Sequence, residues 1–558
     1  MNQQPIPSTD SLCLPITPDE KLEAATPSVP DSRERTSTLI ASCVLYAILA
    51  WVAWPSLSSQ TTALGDDAWI DALRQMSLSE ALQYVGPNFW RPGESLMFWM
   101  IAHSHSLESW RMGMLVILLL TTAYLQFDAS VRSRSYVDGF GAALAFSLNP
   151  TTLTVMCWLS AAYISLSAVG ILAYVAFARR ALTAEASPVR DSAFAALSLM
   201  FALAFYELAL FAPLFVLSYQ WLFVPRPRRE ALLCVYGGSL VCALVYLALQ
   251  AQLTELPRFW AHESVPALFV NSMRYVMLNF YLWFNPFETF GALIPDQPTG
   301  TELENLVCFA LVGLGVCLTW YNRKRDPVTA LAGMWFIIFL APVGTFLRFE
   351  GSPIAEQHLY IPMLGVAVGG ARMFTRFLES VILRIRNQPA RVAFEITLSV
   401  FLLWSIAPVV AECRRTVAHW SDTRDLYLTT LQNYPKSTGA LAGLTQVLST
   451  QAPHLHDAWE EDSTPEWQKV VDAFLLCPKA RPASQLLAEG QSLLQEARFL
   501  DASSAFARAL ATSSTAREHL DSGTGLVQAL SHTSMRERVP ALLERLRLDH
   551  PGASLPIN

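Results

Sequence analysis

The feature that most constrains this chain is a series of long apolar stretches that occupies most of its first 411 residues. A helix needs about 20 apolar residues to cross the hydrocarbon core of a bilayer, and residues 37–56 form the first such stretch. Further stretches lie at 108–127, 137–148, 157–178, 190–206, 208–223, 231–250, 303–320, 328–342, 358–371 and 392–411. The pattern predicts an all-α fold, a polytopic membrane helix bundle with about eleven spans.

Composition agrees with a membrane location. Of the 558 residues, 53% are hydrophobic and only 15% are charged, whereas soluble domains carry about a quarter charged residues. The net charge of −7 argues against nucleic-acid binding, which requires a basic face. Residues 1–36 are rich in Pro, Ser, Thr and Asp, and we expect a disordered cytoplasmic tail there. Residues 272–290 are broken by Pro286 and predict an interfacial or re-entrant helix, with a true span as the alternative.

The distribution of basic residues predicts the orientation. With the N-terminus inside, sixteen basic residues fall in inner loops, namely Arg132, Arg134, Arg179, Arg180, Arg190, Arg226, Arg228, Arg229, Arg323, Lys324, Arg325, Arg372, Arg376, Arg384, Arg386 and Arg391. Five fall outside, namely Arg74, Arg91, Arg258, Arg274 and Arg348. The positive-inside rule favours this arrangement. An odd number of spans then places residues 412–558 outside, in the periplasm if the membrane is a bacterial inner membrane, or in the endoplasmic reticulum lumen of a eukaryote.

Residues 412–558 differ from the rest, because they are polar and show helical apolar spacing. Within 484–513, small residues recur where two packed helices approach closely, at Gly490, Ala502, Ala505 and Ala509. This spacing is typical of a tetratricopeptide-like helix pair, and 423–450 predicts a second, weaker unit. A generic helical cap is the alternative. In either case the domain predicts a docking surface for a protein partner. A disulfide between Cys413 and Cys477 stays open, since sequence does not supply its geometry.

The candidate chemistry lies in the outer loop, residues 57–107. Asp66 and Asp67 follow the first span, two short amphipathic helices come next, and Trp90-Arg91-Pro92 closes the segment. An acidic pair near a membrane surface indicates a bound cation, a base or a helix cap. Taken alone, the pattern favours the cap, because carboxylates stabilise helix N-termini.

Four further features bear on function when they are taken in order. They are LNPTTLTVMCWLS at 148–160, FYELALFAP at 205–213, PVGTFLRFEGSPIAEQHLYIP at 342–362, and the change to helical repeats after residue 411. With the acidic pair and the Trp-Arg-Pro segment, this order resembles the GT-C membrane glycosyltransferases. Within that class it is most similar to the transmembrane and tetratricopeptide-repeat O-mannosyltransferase-like proteins and their bacterial relatives.

The resemblance implies an enzyme that moves a sugar from a polyprenyl-phosphate donor to a protein or glycan hydroxyl on the outer face of the bilayer. Asp67, or Asp66, would be the base, and the two would hold a divalent cation, Mg or Mn, if one takes part. Two cationic residues would bind the donor phosphate, Arg91 and Arg348. The cleft would be completed by Glu207, Glu356 and His358. Each has a structural alternative: a snorkelling Arg91, a paired helix end at Glu207 and an interfacial His358.

The chain also departs from the family's pattern. Gln357-His358 replaces Arg-Tyr, Tyr206 replaces a basic residue, and Asn149 replaces His. Ala162 and Ile164 stand where an Arg and an Asp are expected. These differences leave the donor open. The missing Arg and Asp favour the alternative function, a non-catalytic membrane scaffold whose outer repeats bind a partner, whereas the retained Asp66-Asp67 and Trp90-Arg91-Pro92 favour the enzyme.

Overall fold

The computed structural model describes residues 32–57, 66–84, 90–104, 107–183, 187–224, 227–253, 302–346, 356–385, 387–420, 426–428, 483–512, 516–532, 539–540 and 543. All regular secondary structure in these ranges is helical. Several predicted features lie outside them: most of the N-terminal tail, residues 272–290, Arg348, Cys477 and nearly all of 423–450.

In the described ranges, fifteen α-helices precede residue 421. They are α1 (Ser32–Leu57), α2 (Asp66–Arg74), α3 (Leu78–Gln83), α4 (Pro92–His103), α5 (Leu107–Ser133), α6 (Tyr136–Ser147), α7 (Pro150–Cys157), α8 (Ala162–Leu182), α9 (Pro188–Phe205), α10 (Ala212–Phe223), α11 (Arg229–Leu253), α12 (Glu302–Asn322), α13 (Pro327–Phe346), α14 (Tyr360–Arg384) and α15 (Gln388–Trp420). Three short 3₁₀ helices precede α8, α10 and α14, at Leu159–Ala161, Glu207–Phe211 and Glu356–Leu359.

Six of the described helices are long and apolar enough to cross a membrane: α1, α5, α8, α9, α11 and α15. The number becomes seven if α6 and α7, which are bent by 55° relative to one another, form one broken span. Large apolar side chains on these helices face outward, among them Leu403 at 71% and Trp404 at 74% exposure on α15. Outward-facing apolar surface of this extent suits contact with lipid rather than water.

Every predicted apolar stretch coincides with a helix, but several helices extend beyond the predicted bounds, among them α5, α13 and α14. The first helix begins at Ser32, inside the predicted tail. The last, α15, continues beyond residue 411 to Trp420. Its final turns pack on the bundle, where Cys413 is a buried free thiol that donates to the carbonyl of Leu148 and Trp420 stacks on Trp158. The bundle therefore includes the first residues of the segment predicted as a separate domain.

Two helices before residue 421 were not predicted, α4 and α7. α4 is an apolar helix of 12 residues, too short to register as a span. It is part of the core, since Met97 and Phe98 are buried, and the Trp99 indole N–H donates to the carbonyl of Met76 just after α2. The two short helices predicted before it, α2 and α3, are present.

Basic residues from several predicted inner loops lie at one end of the bundle. Arg179 of α8 pairs with Asp128 of α5 at 2.6 Å. Arg372 of α14 pairs with Asp138 of α6 at 2.6 Å and with Asp326, just before α13, at 3.6 Å. These ion pairs join residues far apart in sequence, so the inner loops that hold them share one end of the helix bundle.

Three helices are described in the C-terminal part, α16 (Ala483–Gln495), α17 (Phe499–Thr512) and α18 (Ala516–Leu530). The small residues predicted to allow a close helix approach do so. A Cβ atom on Gly490 would lie 2.8 Å from the Phe506 ring, and Ala502 and Ala509 are fully buried. The three helices share a small apolar core around Phe506.

Candidate functional site

Six side chains form a buried polar and aromatic cluster at the end of the bundle opposite the Arg372 ion pairs. They come from four places where a helix begins, and are Arg91, Glu94, Tyr163, Tyr206, Glu207 and His358. We refer to them as the Arg91 cluster. Counted over the whole residue, main chain included, each has 8% exposure or less.

The start of α4 holds Arg91 in position. Arg91 is the N-cap residue, and Pro92 follows at the first helical position, where its fixed φ favours helix initiation. Two hydrogen bonds hold Trp90, the residue before Arg91. Its indole N–H donates to the carbonyl of Leu82 at 2.9 Å, and its backbone N–H donates to Gln250 Oε1 at 3.2 Å. Glu94 lies in the first turn, on the same side as Arg91.

Gly93 brings α4 close to the end of α9. A Cβ atom at this position would lie 2.9 Å from the carbonyl oxygen of Ala204 and 2.9 Å from the Phe205 ring. Because no side chain intervenes, the start of α4 packs directly on the last turn of α9. Glu207 follows that turn, in the 3₁₀ helix that leads to α10.

Arg91 and Glu207 form a two-pronged ion pair. Arg91 Nε donates to Glu207 Oε2 at 2.9 Å, and Nη2 donates to Oε1 at 2.6 Å. The remaining nitrogen, Nη1, donates to Glu94 Oε2 at a longer 3.3 Å. Paired guanidinium–carboxylate bonds of this kind are strong and directional. With both carboxylates ionised, one cation faces two anions, and these three groups carry a net charge of −1.

Aromatic rings enclose the guanidinium. The Arg91 Cζ atom lies 4.6 Å from the Tyr163 ring centre and 5.3 Å from the Tyr206 ring centre, within the range of cation–π attraction. Tyr206 Oη and His358 Nδ1 are joined by a hydrogen bond of 2.7 Å. The start of α14 is thereby connected to the starts of α4 and α8.

Glu94 titrates differently from an ordinary carboxyl. Burial raises the pKa of Glu94 to about 7; the nearby Arg91 opposes that rise, and the negative charge of Glu207 adds to it. The protonation state of Glu94 therefore changes near neutral pH, and with it the charge next to Arg91.

The backbone around the cluster favours negative charge. Four helical segments begin here, α4, α8 and the 3₁₀ helices Glu207–Phe211 and Glu356–Leu359. A helix N-terminus carries a partial positive charge, which stabilises nearby anions. Two carboxylates use this field in the structure, and a phosphate group would experience it in the same way.

Three residues predicted from sequence meet in this cluster, Arg91, Glu207 and His358. The structural alternative given for Glu207, a paired helix end, matches its geometry, because Glu207 begins a 3₁₀ helix and pairs with Arg91. Glu356 begins the 3₁₀ helix that holds His358. Asp66 and Asp67 form the first turn of α2, which packs against α4, but their side chains lie outside the description, as does that of Glu356, and Arg348 is not described at all.

Sequence reasoning missed Glu94, Tyr163 and Tyr206 as site residues. Tyr163 lies between Ala162 and Ile164, which were considered only as differences from the family's pattern. Tyr206 was considered only as such a difference too. Glu94 had a local signal, since an acidic residue in a first turn three positions after an arginine lies on the same side of the helix.

Over the described ranges, no group of three or more His, Cys, Asp or Glu side chains is placed to hold a metal ion. The Asp66 and Asp67 side chains lie outside the described part of the structure, so this statement does not include them.

Comparison of the chain with protein-family models, with curated proteins and with solved structures gave no match.

Proposed function

We propose that this protein is a GT-C-type membrane glycosyltransferase that moves a sugar from a polyprenyl-phosphate donor to a protein or glycan hydroxyl outside the membrane. The observation that carries the proposal is the meeting of Arg91, Glu207 and His358, which come from segments more than 100 residues apart. Each occupies a place in a sequence order that resembles this class, and sequence order alone does not require the three to be in contact.

The topology in this proposal has eleven spans, with the N-terminus inside and 272–290 re-entrant. Helices α6 and α7 together form one broken span, and α10, α12, α13 and α14 also cross. The Arg372 ion pairs then lie at the inner end and the Arg91 cluster at the outer end. The C-terminal helices extend outside as tetratricopeptide-like repeats that dock the acceptor protein or another partner.

Donor binding in this proposal depends on a partner exchange at Arg91. Its two contacts with Glu207 are short and hold the guanidinium plane, whereas the contact from Nη1 to Glu94 is the longest, at 3.3 Å. A donor phosphate would replace Glu94 at Nη1, which costs least when Glu94 is protonated. His358 and Tyr206 would border the phosphate or the sugar beside it, and Arg348 would supply a second cation.

The transfer step is a substitution at the anomeric carbon. The acceptor oxygen bonds to that carbon, the bond from carbon to phosphate oxygen breaks, and polyprenyl phosphate leaves with the electron pair. Asp67, with Asp66 as the alternative, takes the acceptor hydroxyl proton, directly or beside a divalent cation. Positioned bases of this kind contribute about 10² to 10⁴ in rate.

The test follows sugar release from polyprenyl-phosphate sugars by protein reconstituted in vesicles. Asp67→Asn, or the double variant with Asp66→Asn, should lower the rate about 10² to 10⁴-fold with little change in stability, because Asn keeps the size of Asp and a charge in the first turn of a helix contributes only about 0.3–1 kcal/mol. Asp71→Asn is the matched control, since Asp71 lies in the same helix and pairs with Arg74 at the surface. If the double variant transfers sugar at the parental rate, the acidic pair is structural and the proposal loses its base.

The scaffold remains the second candidate, and one observation favours it. The guanidinium of Arg91 is buried and held by two carboxylates, as in a purely structural ion pair. A scaffold predicts no sugar release from any polyprenyl-phosphate donor by the wild-type protein, together with retention of a partner by the C-terminal helices.

A further inference from the structure

At the inner end of the bundle, an apolar cleft opens between α5, α8, α10, α13 and α14. Its apolar lining includes Leu125, Leu172, Phe215, Leu331, Trp335 and Val368. The cleft is narrow and partly open, with an enclosed volume of about 40 Å³, so a linear hydrocarbon chain would lie along it and remain partly outside it.

The cleft has the length of an acyl segment. Along α13 its lining extends from Val328 to Trp335, which is about 10 Å at 1.5 Å per residue. One leaflet contributes about half of a hydrocarbon core roughly 30 Å thick. The cleft therefore covers most of one leaflet, from the inner headgroup level toward the bilayer centre.

A cationic group lies at the inner end of this lining. Asp128 and Arg132 of α5 both border the cleft. Asp128 pairs with Arg132 at 2.5 Å and with Arg179 at 2.6 Å, so one anion faces two cations and the net charge is +1. The nearby Asp138, Asp326, Arg372 and Arg376 are balanced among themselves.

Arg132 has unused hydrogen-bonding capacity. Its side chain is only 10% exposed, and its ion pair with Asp128 uses Nε. Within the part of the chain that the structure describes, the buried Nε of Arg132, whose contact with Asp128 lacks hydrogen-bond geometry, makes no hydrogen bond, and the buried Nε of Arg179 makes none either. Buried donors of this kind are normally satisfied, and a phosphate can accept from two guanidinium nitrogens at once.

We propose that this cleft binds one anionic phospholipid of the inner leaflet, with an acyl chain along α13 and α14 and the phosphate on Arg132. Tyr219 borders the headgroup, since its ring centre lies 5.7 Å from the Cζ atom of Arg132 and 4.8 Å from that of Arg179. The lipid completes the packing between α10 and α14 and is distinct from the donor, whose phosphate would bind at the opposite end of the bundle.

The test uses full-length protein in a neutral detergent with added phosphatidylglycerol or phosphatidylcholine. Retained lipid is counted by native mass spectrometry, and the thermal midpoint is recorded. Phosphatidylglycerol should be retained and should raise the midpoint, whereas phosphatidylcholine should do neither. Arg132→Gln should weaken phosphatidylglycerol binding about fivefold, and Arg132→Lys should keep most of it.

Two further variants separate a specific site from general charge attraction. Val368→Phe places a ring in the cleft from a partly exposed position, and should abolish retention without changing the charge. Arg391→Gln removes the same charge from an exposed pair on α15 and should leave binding unchanged. Equal retention of both lipids by the wild type would overturn the proposal. So would unchanged binding by Arg132→Gln, or an equal loss in Arg391→Gln.

Discussion

Replacing Arg91 with Met should strongly destabilise the protein, because it leaves the Glu207 carboxylate buried without its cation. The two side chains are 8% and 10% exposed, and the pair is bonded at 2.9 and 2.6 Å. Removing one partner of a buried ion pair typically costs about 3–5 kcal/mol, whereas replacing both with uncharged groups of similar size is often close to neutral. The double variant Arg91→Met, Glu207→Gln should therefore regain most of the lost stability.

The assay is the thermal midpoint of purified protein in one detergent at pH 6, where Glu94 is mostly protonated and adds no second unpaired charge. A large membrane protein need not unfold in two states, so midpoints are compared directly rather than converted to free energies. Arg91→Met should lower the midpoint by several degrees, and the double variant should lie close to the wild type.

The control for this cycle is Arg391→Met, which breaks an exposed pair with Glu395 one helical turn away. Such pairs contribute about 0.5 kcal/mol or less, so its midpoint should hardly move. If Arg91→Met is as stable as the wild type, or if the double variant is no more stable than Arg91→Met, the buried pair does not hold the site together as described.

Four further predictions concern the pH response of Glu94, the packing of α4, the C-terminal helices and the topology. Because burial raises the pKa of Glu94 to about 7, the folded protein binds more protons than the unfolded chain between about pH 4.5 and 7, so stability should fall as pH rises through that window. Glu94→Gln should flatten this dependence, and donor affinity measured from pH 6 to 8 should likewise fall in the wild type but not in the variant. Gly93→Ala should lower the thermal midpoint and weaken donor binding, since its Cβ would lie 2.9 Å from Ala204; Gly113→Ala, with open space around it, is the control. Residues 421–558 expressed alone should show a helical circular-dichroism spectrum, and a reporter fused after residue 558 should be active only outside the cytoplasm.

The positions of the membrane helices could be predicted because the signal is local. A helix that crosses a bilayer needs about 20 mostly apolar residues, and each such stretch coincides with a helix in the described part of the chain. Helix α4 escaped prediction for the same reason: with 12 residues it is too short to cross and is buried by protein instead.

The site could be predicted only in part. Arg91, Glu207 and His358 were selected for their places relative to the spans, which sequence does record. Their contacts depend on how four helix starts pack together, and this is a tertiary property. The hydrogen bond between Tyr206 and His358 joins residues 152 positions apart. Tyr206 had been judged only by the basic residue it replaces, and the structure shows what the tyrosine does: it borders the guanidinium and fixes His358.

The central claim is that the Arg91 cluster binds the donor phosphate, and photocrosslinking tests it most directly. A polyprenyl-phosphate sugar with a photoreactive group beside the phosphate is added to the reconstituted protein, and the labelled peptides are identified by mass spectrometry. The account predicts labelling around Arg91, Tyr206 and His358, which excess unlabelled polyprenyl phosphate suppresses and free polyprenol does not. Labelling confined to other parts of the chain, or equally suppressed by polyprenol, would contradict it.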